Sequence, residues 1–371
     1  MEKILVQVRA VEDTTYEVVV GNDLFATVAA DLAGGLVPQV NRYVIITDET
    51  VDSYWGPELL SFLRGQRLKT DWLTFPEGEV SKTRKTKQKL EDALAKLNCG
   101  RDTCVIALGG GVVTDLAGFV AATYQRGIPY VNIPTTLLGA ADASIGGKTG
   151  VDTDLGKNQI GAFHYPKRVY IDTSTWQTLP EEQIRNGLAE TIKHAVIADA
   201  IFFEYLENHA IELGREGAVD PEILLHLAIT NVRIKQSVVQ DDPLEQGKRA
   251  ILNFGHTLGH ALEILSGYAI LHGAAVAIGM VFAARLGEHL GHTTPGTAQR
   301  LKQLLQQVGL PVDLPGSVQS EELIDCMLRD KKNRNQEIRL VFAANTGTIF
   351  SRGGSFSHPV DPDVLRSFLH F

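Results

Sequence analysis

The pattern of apolar and polar positions changes character near the middle of this chain. Up to about residue 178, short apolar runs alternate with amphipathic stretches. Residues 6–8 and 18–20 read as opening strands, and 43–47 as a buried strand that ends at Asp48. Residues 71–75, 104–108 and 130–133 read as further strands, the second running directly into Gly109-Gly110-Gly111. Helical patterns fill the intervals at 54–64, 85–97 and from Gly111 through Tyr124. Strands alternating with helices predict a mostly parallel sheet covered on both faces. From Pro180 onward the apolar spacing becomes that of long helices, at 183–198, 221–239, 253–265, 274–290 and 297–308. A short β-like pair, 338–342 with 348–350, sits near the end. The pattern therefore predicts an α/β domain over 1–178 and a helical domain over 179–371, with the reaction centre in the cleft between them.

Composition narrows the class. The 371 residues are 44% hydrophobic and 21% charged, as in an ordinary globular protein. A formal net charge of −9 argues against nucleic acid or an anionic membrane as the main partner, although a locally basic cleft can still hold a phosphorylated substrate. The three cysteines, Cys99, Cys104 and Cys326, are not in ligand spacing and read as reduced thiols of a cytoplasmic protein. The N-terminal residues have no apolar signal core, and the longest apolar run, 273–284, is too short to span a bilayer.

The candidate chemistry lies in a few constellations. Glycines 109–111 join a strand to a helix, where backbone N–H groups can cradle a pyrophosphate, although Thr114 breaks the G-x-G-x-x-G spacing. Asp48 at a strand end is a candidate acceptor for a ribose hydroxyl. Glu79 and Lys82 follow in a polar loop at the end of the next strand. Thr135 and Thr136 lead to Asp142 and to the glycine-rich segments holding Lys148, Lys157 and Asn158; these lysines suit phosphate, but the spacing is not that of a Walker loop. In the second half, Lys193 lies one turn from Glu190, so both can face one cleft. Lys235, Glu245 and Arg249 precede Asn253, and Lys331 and Lys332 come much later. Two imidazoles and a carboxylate with an open fourth position form the ligand set of a catalytic zinc site, and Glu190, His256 and His272 supply one. Helical spacing alone would instead pair His256 with His260.

Taken in order, these segments resemble the 3-dehydroquinate synthase family, part of the wider sugar-phosphate cyclases. The resemblance runs from about Asp48 to Asn333. It rests on GGGVVTDLAG at 109–118, ATYQRG at 122–127, PTTLL at 134–138, GGKTG at 146–150 and GKN at 156–158, then on LAETIK at 188–193, NFGHTLGH at 253–260 and HG at 272–273. It implies a Rossmann-like NAD-binding domain and a helical domain holding zinc, or cobalt, on Glu190, His256 and His272, with His260 turned to the substrate. It also implies that Asp142, Lys148, Asn158, Lys193, Lys235, Arg249, Asn253 and Lys331 or Lys332 line the substrate pocket, with Glu245 beside them. Asn158, Lys148 and Lys332 would meet the substrate phosphate, together with Arg126 from the partner subunit of a homodimer. Glu79, Lys82, Asp115, Thr135, Thr136 and Thr178 would contact NAD, with Asp48, Gly110, Gly111, Lys148 and Lys157 around them. The implied reaction converts 3-deoxy-D-arabino-heptulosonate 7-phosphate to 3-dehydroquinate and phosphate, with NAD recycled. The alternatives are a related cyclase acting on sedoheptulose 7-phosphate or an amino analogue, and a metal- and NAD-dependent alcohol dehydrogenase. One departure bears on the metal: residue 274 is alanine where the family usually has glutamate, which removes an expected acceptor beside His272.

Overall fold

The computed structural model describes residues 14–153, 156–214, 219–316, 318–329 and 337–369. The strand expected at 6–8, and Lys331 and Lys332, lie outside them. Six strands build one sheet: β1 (Glu17–Gly21), β2 (Arg42–Asp48), β3 (Thr70–Phe75), β4 (Thr103–Gly109), β5 (Tyr130–Pro134) and, after a hairpin, β8 (Arg168–Asp172). Their order is β1-β8-β5-β4-β2-β3, and every pairing is parallel. The middle strands are apolar throughout because both faces are covered. Val44 and Ile46 of β2 pack with α3 (Arg84–Lys96) and α4 (Gly111–Thr123). Tyr43 and Ile45, pointing the other way, pack with α1 (Phe25–Ala33) and α2 (Glu49–Gly65).

This order creates a switch point. From β2 the chain goes to β3 on one side and then returns to β4 on the other, so the connections diverge between β2 and β4. A crevice opens beyond the carboxyl ends of such strands, and ligands of open α/β sheets bind there. Asp48 ends β2 and Gly109 ends β4, so the two segments singled out in the sequence flank it.

The glycine-rich segments expected as loops are instead an antiparallel hairpin, β6 (Lys148–Thr153) with β7 (Gly156–Phe163), lying against α4. Gly150 and Gly161 face each other there, and a side chain on either would strike the opposite backbone. β8 was also absent from the expected strands.

The remainder is helical: α5 (Glu181–Ala198), α6 (Ala200–Asn208), α7 (Ala210–Gly214), α8 (Pro221–Asp241), α9 (His256–Leu265), α10 (His272–His289), α11 (Thr297–Gln307), α12 (Ser320–Leu328) and α13 (Pro362–Leu369). It is not all-helical. Strands β9 (Ile338–Leu340) and β12 (His358–Val360) pair, as do β10 (Ala343–Asn345) and β11 (Thr348–Ile349). The single pair expected from the sequence is thus two ribbons. The helix expected over 253–265 also begins later. A 3-10 turn covers Lys248–Asn253, Gly255 adopts φ +79°, and His256 is the first residue of α9. All three cysteines are unbridged, and among the described residues no helix is long and apolar enough to cross a membrane.

Candidate active site

Three helices bring Glu190, His256 and His272 together, and glycines let them do so. Gly273 presses on the backbone of Asn186 in α5, and Gly279 of α10 on the backbone of Gly255. A Cβ at either position would collide with a carbonyl, so α5, α9 and α10 meet nearly backbone to backbone. Asn186 Oδ1 also accepts from the Gly273 N–H at 2.6 Å. Glu190 comes from the middle of α5, while His256 and His272 are the first residues of α9 and α10.

Nε2 of His256 and Nε2 of His272 each stand 3.5 Å from Oε1 of Glu190. That oxygen is buried and accepts no hydrogen bond, while Oε2 accepts from Lys193. His256 uses Nδ1 against the Phe254 carbonyl at 3.1 Å, and His272 uses Nδ1 against Glu263 at 3.3 Å. With each Nδ1 turned to an oxygen acceptor, Nε2 is the ring nitrogen left toward Glu190, which is the arrangement of a histidine metal ligand. Burial would raise the Glu190 carboxyl, yet Lys193 and His256 hold it far below the usual range, so it is ionised. A buried carboxylate oxygen left without a donor costs about 1–3 kcal/mol or more, and a divalent cation offsets that cost. The residues therefore fit the metal.

The pair suggested by helical spacing is not the pair that faces Glu190. His256 and His260 stand edge to face with centroids 5.3 Å apart, but the third corner with Glu190 is His272. The acceptor expected to be lost with Ala274 is supplied by Glu263, which sequence reasoning missed. The signal was present: 256, 260 and 263 share one face of a helix.

Around the centre, Asp142 accepts from Lys235 at 2.6 Å, and Lys148 donates to Glu245, whose other oxygen accepts from Asn253 at 3.2 Å. Burial pushes the Lys235 ammonium down to about 8, with Asp142 opposing. Desolvation works against charge on Asp142, but Lys235 and Lys193 keep it well below the ordinary carboxylate value. Arg249 is buried and donates to the Pro243 and Gly146 carbonyls, so it fastens the loops behind the pocket.

The crevice side has its own cluster. Lys82 donates to Asp115 and to Asn158, both at 2.6 Å, which places Asn158 beside the expected cofactor residues. Lys157 joins Glu263 at 2.7 Å and Glu79 at 3.2 Å. Gly110 and Gly111 lie at the start of α4, where added side chains would crowd Thr136 and Ala143. Thr135 Oγ1 is buried and makes no hydrogen bond among the described residues, and the start of α4 has no side-chain cap and suits an anion, so this region fits a dinucleotide. Thr136 Oγ1 accepts from Gly139, and Thr178 Oγ1 accepts from the Trp55 indole at 3.2 Å. Asp48 caps α2, accepting from Val51 at 2.8 Å, so one of its oxygens is already used. Arg126 is far from all of these. It follows the C-terminal end of α4, roughly 20 Å from Gly111 at 1.5 Å per residue, and lines a surface hollow of about 440 Å³ with Arg101, Thr123 and Gln125.

The switch-point crevice and the carboxylate–histidine cluster together define the candidate active site of an α/β enzyme. Family models described as 3-dehydroquinate synthase N-terminal and C-terminal match residues 72–186 and 187–333. A 3-dehydroquinate synthase of Symbiobacterium thermophilum is 42% identical over 352 residues, covering 95% of this chain and 96% of that protein. One from Desulforamulus reducens is 44% identical over 313 residues, 84% and 86% of the two chains. Among solved structures, the 2-epi-5-epi-valiolone synthase of Streptomyces hygroscopicus subsp. jinggangensis, with NAD+ and Zn2+ bound, superposes with a TM-score of 0.86 at 29% identity, covering 98% of each chain. The chain belongs to the 3-dehydroquinate synthase family.

Proposed function

We propose that this protein is a 3-dehydroquinate synthase, converting 3-deoxy-D-arabino-heptulosonate 7-phosphate to 3-dehydroquinate and phosphate. The observation that carries the reading is the unpartnered Oε1 of Glu190, which faces two imidazoles while Lys193 holds the other oxygen. Glu190, His256 and His272 would hold a zinc or cobalt ion. When bound there, the metal would supply Lewis-acid polarisation of substrate oxygens and NAD a reversible hydride acceptor.

The chain's own groups do the rest. Lys193, Lys235 and Lys148 set a positive field for a substrate with a carboxylate and a phosphate. Asp142 fixes Lys235, and Glu245 fixes Lys148 and Asn253, so these groups are held before substrate arrives. His260, beside both ligand histidines, moves protons on the ring hydroxyls. The departing phosphate carries a base of its own. Lys148 and Asn158 meet it from this subunit, with Lys332, and Arg126 meets it from the partner of a cytoplasmic homodimer. Arg126 cannot do so in its own subunit because it lies at the wrong end of α4.

The likeness to a valiolone synthase structure favours a second reading, a cyclase acting on sedoheptulose 7-phosphate. Product analysis separates the two. With NAD and zinc, 3-deoxy-D-arabino-heptulosonate 7-phosphate should yield 3-dehydroquinate and sedoheptulose 7-phosphate nothing. Turnover of sedoheptulose 7-phosphate alone would replace the first reading with the second.

A further inference from the structure

An unbroken line of alternating charges connects the crevice to the metal-ligand set. It begins at Asp115 on α4, which accepts from Lys82. Glu79 lies 3.9 Å from Lys82 and 3.2 Å from Lys157. Lys157, on the hairpin strand β7, donates to Oε1 of Glu263 at 2.7 Å and lies 5.2 Å from the Tyr268 ring centre. Oε2 of Glu263 accepts from His272 Nδ1, and His272 Nε2 faces Glu190. Glu263 is 1% exposed, and its two oxygens are divided between one group of each half of the molecule.

This division has a mechanical consequence. A carboxylate bonded to the far nitrogen of a ligand histidine fixes the ring's tautomer and direction. Glu263 can do so only while its own plane is held, and Lys157 holds it. Lys157 is in turn steadied by Glu79, in the turn after β3 at the crevice rim. Whatever orders that rim also orders Lys157, then Glu263, then His272.

We propose that Glu263 is the positioning residue for His272 and that Lys157 makes it responsive to the crevice, so that NAD and the divalent metal bind with positive coupling through Lys157 and Glu263. The proposal rests on the assignment of metal and NAD to these two sites. By linkage, each ligand must strengthen the other by the same factor.

Equilibrium titration with Co2+ against a competing chelator, followed by the visible absorption of the bound ion, reads this without turnover. In the wild type, saturating NAD should tighten Co2+ by about 5-fold or more, and Co2+ should tighten NAD equally. Glu263→Gln should weaken Co2+ by about 10–100-fold and change its spectrum. Lys157→Met, at NAD concentrations that saturate it, should abolish most of the coupling. His256→Ala tests the underlying reading separately: if it binds Co2+ as the wild type does, the metal assignment itself fails and the coupling with it. If His256→Ala loses Co2+ while wild-type affinity is the same with and without NAD, the coupling alone is wrong. Undiminished coupling in Lys157→Met would also overturn it. The wild-type and Lys157→Met titrations together decide the matter even if Glu263→Gln does not fold.

Discussion

Glu190 sits where a carboxylate should not survive unless something answers its charge. Lys193 answers one oxygen and two imidazoles face the other, so the residue is built for a cation. His256→Ala should therefore cost more than a supporting change: metal affinity should fall at least about 100-fold, beyond the usual effect of an outer hydrogen bond, and turnover with it. Metal content after dialysis checks this, and full activity in metal-free protein would contradict it. Lys235 gives a pH signature. With its value near 8, it is charged below that pH and neutral above it. Substrate affinity should thus hold below pH 8 and weaken as pH rises through it, seen as an alkaline rise in KM. Lys235→Gln should bind substrate more weakly throughout and lack that rise; an identical rise in the variant would assign it to another group.

At the level of elements, the glycines of α9 and α10 matter as much as the ligands. Gly273→Ala pushes α10 away from α5, and such overpacking typically costs about 1–3 kcal/mol. Denaturant unfolding should show that loss together with weaker metal binding; unchanged values for both would mean that the helices do not need this contact. The main strands and the long helices could be read from the sequence, because β2, β4, α5 and α10 carry strong apolar patterns. The hairpin could not. In β6 and β7, Thr149, Gly150, Gly156 and Gly161 have the composition of loops, and the pairing depends on contacts with α4 that no local pattern reveals. The start of α9 was hidden for a related reason: periodicity continues through 253–265, but Gly255 turns the chain left-handed against Met280. The cluster of Glu190, His256 and His272 was legible through family motifs, whereas helical spacing alone paired His256 with His260 and gave no sign of His272. Glu263 was overlooked because its place on the face of His256 and His260, though legible, does not tell of burial or of the bond to His272 until α10 is in place.

For the whole molecule, both halves must meet at the site, and in the proposed homodimer a second subunit completes it. Ion pairs already join the halves, from Lys157 to Glu263 and from Lys148 to Glu245. If Arg126 serves the neighbouring subunit, Arg126→Ala should raise KM for the phosphorylated substrate and spare NAD. Mixing Arg126→Ala with His256→Ala should then restore activity, because each heterodimer contains one intact site. Activity no greater than the sum of the two variants would contradict a contribution of Arg126 to the neighbouring subunit.

In the proposed reaction NAD is recycled at a metal-assisted, phosphate-eliminating site. The most direct test is the phosphate released per enzyme-bound NAD from 3-deoxy-D-arabino-heptulosonate 7-phosphate, with reduced cofactor followed in the same sample. Many phosphates per NAD are expected, with no accumulation of NADH. NADH accumulating once per turnover, without phosphate release, would contradict it and make the protein a dehydrogenase.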